Sequence, residues 1–191
     1  MRSVDTHKTP AFGVSEAQWL VAEVRPTQER VVRDLLLQLG HEAYVPCQVH
    51  ETVYRNYTRH RSERPIIPGV VFVRLHESQV LQVAASSRAI YRFMPNRARK
   101  RDERGGLHYA VVSPSEMQQL DYLCQKAENP LVYADEPLCV GQQVRVMRGP
   151  LVGVEGFYLE EGNACYIVVK VSIGRNGYVR TEVKKADVQP V

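Results

Sequence analysis

Gly149–Gly156 reads GPLVGVEG, three glycines and a proline set between the run VRVM that ends at Met147 and the aromatic pair Phe157-Tyr158. Two structures suit such a stretch, a phosphate loop and a strand turn. A Walker-type loop needs Lys followed by Ser or Thr after its last glycine, because the ammonium and the hydroxyl hold phosphate and metal. Phe157 and Tyr158 stand there instead. The dinucleotide fingerprint fails too, since Gly149, Gly153 and Gly156 have the wrong spacing and no helical pattern follows. The flanks decide for the turn. Val144-Arg145-Val146 alternates apolar and charged residues, and Tyr166–Val171 is a β-branched run of strand length.

Working outward, 191 residues allow one domain or two small ones, and 44% hydrophobic residues argue against disorder. No apolar run approaches the roughly 18 residues that span a bilayer. The start MRSVDTHKTPAFG lacks a signal-peptide core, so a cytoplasmic protein is expected. Cys47, Cys124, Cys139 and Cys165 form no CxxC pair, which argues for buried thiols over zinc or a disulfide framework. Cys47 and His50 make a C-x-x-H pair, but His41 and His60 have no ligand spacing to it, so no metal and no cofactor is expected.

Net charge is only +4, yet it is unevenly spread. Arg88, Arg92, Arg97, Arg99, Lys100, Arg101 and Arg104 are set against Asp102 and Glu103, and RNYTRHRSER adds Arg55, Arg59, Arg61 and Arg64. Such clusters favour a polyanion partner, although Arg-rich hairpin tips are also common on ordinary surfaces.

Along the chain, residues 1–14 read as a frayed tail and Gln18–Val24 as a buried strand. From Thr27, a plausible N-cap, the residues Val31, Val32, Leu35, Leu36 and Leu39 fall on one helical face that Gly40 ends. Strand pieces in 42–54 lead into the arginine-rich loop. RPIIPGVVFVRL then gives a Pro-Gly turn and a strand in which Val71, Val73 and Leu75 alternate with Val70, Phe72 and Arg74. A short helix over 78–85, a strand over 89–94, a basic loop over 97–106 and a strand over 107–112 follow. Ser113-Pro114-Ser115-Glu116 is a capping-box helix start leading into Met117, Leu120 and Leu123. Two prolines in NPLVYADEPL mark a linker over 128–138, and only strand and turn signals remain after it. The expected class is α+β over 15–127, then a small β-barrel over 139–191.

In this order, the strand-helix-strand domain with PGVVFV, the linker and GQQVRVMRGPLVGVEG resemble the NusG family of transcription elongation factors. Gly141, Val144, Val146, Gly149-Pro150, Gly153 and Gly156 stand where a KOW motif places its strand, turn and glycines. Trp19, Pro68-Gly69, Phe72-Val73 and Arg92-Phe93 anchor the likeness to a NusG N-terminal domain. The resemblance implies an N-terminal sandwich of antiparallel sheet and flanking helices, followed by an SH3-like KOW barrel. The extended polar N-terminus, RNYTRHRSER and YRFMPN look most like the specialised antitermination paralogues of the RfaH and UpxY kind. Those imply read-through of a surface (capsular) polysaccharide operon; a housekeeping elongation factor is the alternative.

The resemblance further implies a non-catalytic protein whose N-terminal domain docks on the β′ clamp helices of RNA polymerase, reaches toward β and disfavours pausing. Ile67, Pro68, Val70, Phe72 and Phe93 correspond to the family's apolar docking patch. Phe72 and Phe93 are equally readable as core, whereas Ile67, Pro68 and Val70 lie beside a turn and are expected to be exposed. Arg55, Arg59, Arg61, Arg97, Arg99, Lys100 and Arg101 would contact nontemplate DNA or nascent RNA through the backbone. Tyr54, Tyr57 and Tyr91 lie near enough in sequence to stack on an unpaired base. In the KOW domain, Leu151, Val152, Val154 and Phe157 would meet a ribosomal protein or a termination factor, with core packing the other reading of Val154 and Phe157. RfaH hides its docking surface under a helical C-terminal hairpin; the glycines and Pro150 here oppose such a helix, so residues 139–191 are expected to stay β and leave the patch uncovered by a hairpin. A ribosome-associated RNA-binding protein is a rival, since KOW motifs occur there. Its strong basic excess is missing, because Arg145, Arg148, Lys170, Arg175, Arg180, Lys184 and Lys185 are offset by Glu155, Glu160, Glu161, Glu182 and Asp187. An enzyme is disfavoured, as no phosphate loop, ligand cluster or nucleophile elbow is readable.

Overall fold

The computed structural model describes residues 16–53, 55, 57–96, 108–135, 141–174 and 176–191. The tail 1–14, Tyr54, the basic segment 97–107 and Cys139 lie outside them.

The N-terminal half runs β1 (Gln18–Val24), α1 (Glu29–Gln38), β2 (Glu42–Tyr44), β3 (Cys47–Val53), β4 (Arg59–Pro65) and β5 (Val70–Leu75). A 3-10 turn, Glu77–Gln79, then leads into α2 (Val80–Ala85), β6 (Ile90–Phe93), β7 (Val111–Val112) and α3 (Pro114–Lys126). One antiparallel sheet has the order β2-β5-β1-β6, with β7 also pairing β1, and β3 and β4 form a separate ribbon. β1 and β5 are apolar on both faces because both faces are covered. Leu20, Ala22, Val24, Val71, Val73 and Leu75 pack with Val32 and Leu36 of α1 and Val80 and Val83 of α2. The alternate residues Val21, Val70 and Phe72 point the other way, with Met117 and Leu120 of α3.

α3 forms as its sequence directs. Ser113 Oγ accepts from the Glu116 amide at 3.2 Å, and the Glu116 carboxylate accepts from the Ser113 amide at 2.9 Å, so both orphan donors are satisfied. α1 departs from expectation at its start: Thr27 has φ 73°, left-handed, and Gln28 is the cap residue. Its buried stripe is narrower than the sequence implies, since Val31 and Leu39 are exposed. Gly40, at φ 85°, does end the helix, and the His41 amide returns to the Leu36 carbonyl.

The C-terminal half contains β8 (Val132–Ala134), β9 (Gln143–Val146), β10 (Glu155–Glu161), β11 (Ala164–Ser172), β12 (Asn176–Glu182), a 3-10 turn Lys185–Asp187 and β13 (Val188–Pro190). They form a six-stranded antiparallel sheet of order β13-β9-β10-β11-β12-β8, an open hydrogen-bonded path. β8 comes from the segment expected as linker and pairs Tyr133 with Val179. The opening stretch is a strand turn: Gly149 and Gly153 have φ 85° and 90°, and the Gly153 amide donates to the Val146 carbonyl at 2.8 Å. Gly156 pairs with Val144, and a Cβ there would lie 2.6 Å from the Val168 carbonyl oxygen, so only glycine lets β10 and β11 approach this closely. Described residues 141–191 contain no α-helix.

Candidate docking surfaces

The turn that launches β5 is held from beneath. Gly69 has φ 71°, its amide donates to Glu29 Oε1 at 2.7 Å, and its carbonyl accepts from the Val24 amide at 2.8 Å. Glu29 is itself buried, so this bond satisfies a carboxylate that solvent does not reach. Sequence reading missed Glu29, because an acidic residue in the first turn of a helix already has an ordinary explanation.

That turn delivers three of the five expected patch residues to one place. Ile67, Val70 and Phe72 join a continuous apolar cluster on the sheet face opposite α1 and α2, together with Met94, Met117 and Leu120. Phe93 lies on the other face, in the core with α1 and α2, edge-on to Tyr109 with ring centroids 6.2 Å apart. Pro68 is exposed. Ile67 and Val70 were expected to be open, but they are 0% and 1% exposed, as buried as Phe72 at 0%. They lie inside one apolar cluster with Met117 and Leu120 of α3, to which Val171, Ile173 and Val179 of β11, its turn and β12 also belong.

One end of this face stays open. A cleft of about 790 Å³ is lined by Trp19, Tyr44, Val111, Val112, Met117 and Asp121, among others. The Tyr44 hydroxyl donates to Asp121 Oδ1 at 3.1 Å. Burial, aided by Cys124 and Asp121, pushes the Tyr44 phenol well above its ordinary value, so it stays a neutral donor. Burial also raises the Cys124 thiol to about 11, and burial and then Glu63 raise Cys47. Cys47, Cys124 and Cys165 are half-buried free thiols, of which Cys124 and Cys47 are unreactive in character.

The arginine-rich stretch is not a loop. β4 pairs with β3 over seven positions, from Cys47↔Pro65 to Val53↔Arg59. Arg55, Arg59 and Arg61 are all exposed on this ribbon, and Tyr57 at its tip is 90% exposed with φ 61°. Arg59 and Arg61 share Glu51, at 3.3 Å and 3.7 Å. Such exposed pairs contribute little, so a phosphate competes for both guanidiniums readily. Tyr91 is exposed on β6. Arg97, Arg99, Lys100 and Arg101 lie outside the described residues.

Of the expected C-terminal contact residues, Val152 is 52% exposed, Leu151 and Val154 are buried, and Phe157 is half-buried. Leu151 and Val154 pack with Val146, Ile167 and Val169, and also with Leu123 of α3. The Tyr122 hydroxyl donates toward the carbonyls of Pro150 and Val152, at 3.3 and 3.4 Å, while Gln119 Nε2 donates to the Glu155 carbonyl. Ser172 Oγ donates to Glu116 Oε1 at 2.7 Å. Burial alone would raise the Glu116 carboxyl, but donors from Ser113 and Ser172 outweigh it and hold it below its ordinary range.

The family described as "Transcription termination factor nusG" matches residues 17–121, more than half of the chain and all of the first sheet with most of α3. The chain belongs to the NusG family. It is thus a member of a transcription factor family. No curated protein matches the sequence. Among solved structures, a chain of the MjSpt4:Spt5 complex is similar at 10% identity, covering 91% of this chain and 97% of that one, with a TM-score of 0.29. The NusG match ends within α3, so it includes Trp19, Ile67, Val70 and Phe72 but not Val171, Ile173 and Val179 of the same cluster. Among the described residues no group of three or more His, Cys, Asp and Glu is placed to hold a metal ion, and no helix is long and apolar enough to cross a membrane.

Proposed function

We propose that this NusG-family chain is a specialised antitermination and elongation factor that binds RNA polymerase and promotes read-through, its target a surface (capsular) polysaccharide operon. The observation that carries the polymerase reading is the apolar face of Val21, Ile67, Val70 and Phe72 within the family-matched segment. Ile67, Val70 and Phe72 are buried in the free chain, so helix tips would enter first at the open Trp19–Tyr44 cleft beside them and reach this face only as its neighbours move aside. Phe93, on the opposite face, has no part in that contact. The clamp helices of β′ are the proposed partner.

The ribbon and the basic segment 97–107 supply the nucleic-acid side of the reading. Exposed Arg55, Arg59 and Arg61, with Tyr57 beside them, suit backbone contact and stacking on an unpaired strand. The C-terminal sheet acts as a KOW module, with Val152 the exposed residue of its proposed contact with a ribosomal protein or a termination factor. The operon assignment rests on the likeness of the N-terminus, RNYTRHRSER and YRFMPN to specialised paralogues. A pull-down against core RNA polymerase, run beside ribosomal subunits, tests the reading. Retention on polymerase is expected; retention only on ribosomal subunits refutes it.

A further inference from the structure

The Trp19–Tyr44 cleft opens where the described chain begins. Glu16 and Ala17, the first described residues, form part of its wall, and Trp19, Leu37, Val111 and Met117 supply much of its apolar lining. Its volume of about 790 Å³ falls within the roughly 300–1,000 Å³ of sites that bury a drug-sized group. The lining is accessible, since Leu37 is 49% and Val111 41% exposed. The rim is acidic. Among the described residues that line the cleft, Glu16, Glu42 and Asp121 stand against a single cation, Arg74. Arg74 is already engaged, with Nη1 3.2 Å from Glu42 Oε1 and Nε donating to the Ala17 carbonyl at 3.5 Å. Asp121 accepts from the Tyr44 hydroxyl and from the Gln125 amide, both uncharged donors. The occupant that suits this cleft is apolar at its centre and cationic at its edge.

The sequence ahead of Glu16 supplies that chemistry at that place. In MRSVDTHKTPAFGVS, Phe12 is the single Phe, Tyr or Trp, and it stands among Pro10, Ala11 and Val14. Arg2 and Lys8 are set against Asp5 alone, and no carboxylate falls between Lys8 and Glu16. Phe12 is four positions from Glu16, and four residues of extended chain span about 13 Å, enough to bring an aromatic ring from the wall of the cleft to its floor.

We propose that the chain's own residues 8–14 dock in this cleft, with the Phe12 ring against Trp19 and Met117 and the Lys8 ammonium toward Asp121. An aromatic ring gains from both an aromatic and a thioether neighbour, and the cation meets the acidic rim. A segment tethered this closely is present at an effective concentration on the order of millimolar, so a modest contact is enough to keep it in place. The proposal does not depend on the identity of the partner named above, and any partner that enters by this cleft displaces the segment.

Trp19 reports the test, because it lines the cleft and residues 1–15 contain no tryptophan. Tryptophan emission is compared for the parent, a chain lacking residues 1–14 and a full-length Phe12→Ala chain, and a synthetic peptide of residues 1–15 is then titrated into the truncated chain. Parent emission is expected to the blue of both variants. The peptide should shift the truncated chain back saturably, with a Kd below about 1 mM, the effective concentration that tethering provides. The same peptide carrying Phe12→Ala should bind at least about tenfold more weakly. Asp121→Asn in the truncated chain should weaken the parent peptide about threefold at low salt. Equal emission from the three chains, or no saturation by about 1 mM peptide, overturns the proposal and leaves the cleft to a separate partner. A peptide affinity indifferent to Phe12 or to Asp121 overturns it as well. So does a blue shift of the parent that fades on dilution while sedimentation shows a dimer, which places the segment in the cleft of a second copy instead.

Discussion

Glu29→Ala removes the buried carboxylate that accepts from the Gly69 amide at 2.7 Å. A hydrogen bond to a charged group contributes about 1.5–3 kcal/mol net, and a buried donor left without a partner costs about 1–3 kcal/mol. Both figures describe the same bond and do not add. Alanine is therefore expected to lose about 2–3 kcal/mol, and Glu29→Gln, which keeps an acceptor without the charge, about 1 kcal/mol. Trp19, the one tryptophan, lies on β1 opposite Arg74 of β5, so its fluorescence reads the sheet that the Gly69 turn launches. With a urea slope of about 2 kcal/mol per molar, the alanine midpoint should fall by about 1 M. Function should follow stability, because Gly69 sets the direction in which Val70 and Phe72 leave the turn. An alanine midpoint within about 0.2 M of the parent would refute the reasoning, since it would mean that the Gly69 amide finds another partner at no cost.

Three other outcomes are expected. Glu51→Gln frees Arg59 and Arg61, so nucleic-acid affinity should rise and its log-log salt slope steepen by up to about one unit for each additional phosphate neutralised; an unchanged slope marks the ribbon as plain surface. Gly156→Ala forces a Cβ against the Val168 carbonyl and should cost about 2 kcal/mol in thermal unfolding, whereas Gly162→Ala, with φ 60° but open space, should cost only about 1 kcal/mol. Glu116 is held below its ordinary carboxyl value of 4.5, so the stability it contributes through Ser113 and Ser172 is fully present above pH 4.5 and is lost as acid protonates it below that; thermal midpoints down a pH series should fall there, and Glu116→Gln should flatten the dependence.

What the sequence disclosed follows from where each signal originates. β5 was readable face by face, because burial on both sides of a central strand leaves two interleaved apolar sets, Val71-Val73-Leu75 and Val70-Phe72. α3 was readable from its cap, which depends on residues three apart. β4 was not: RHRSERP has no apolar alternation because neither face of the ribbon is buried along its length, and its strand form comes from pairing with β3. The candidate face was only half legible. Its composition is a property of one segment, but its burial in a cluster with Met117 and Leu120 of α3 and with Val171, Ile173 and Val179 depends on residues far along the chain, and no local pattern carries that information. Gly174 illustrates the point: within its own segment it is a turn glycine, and only Met94 and Ala110 make it an interface residue.

The GPLVGVEG turn bears on the form in which the C-terminal half packs. Gly149 and Gly153 use positive φ and Gly156 a close approach to β11, so each glycine serves a purpose in the β form. In a helix the same three would cost about 1 kcal/mol each and Pro150 about 3 kcal/mol more. The sheet that shares the Phe72 cluster accordingly keeps a strand pairing of its own, from β13 to β8. It is held against α3 and the segment that follows it by shared apolar clusters and by hydrogen bonds at Glu116, Gln119, Tyr122 and Asn129, so its strand pairing and its packing on α3 are separate contributions.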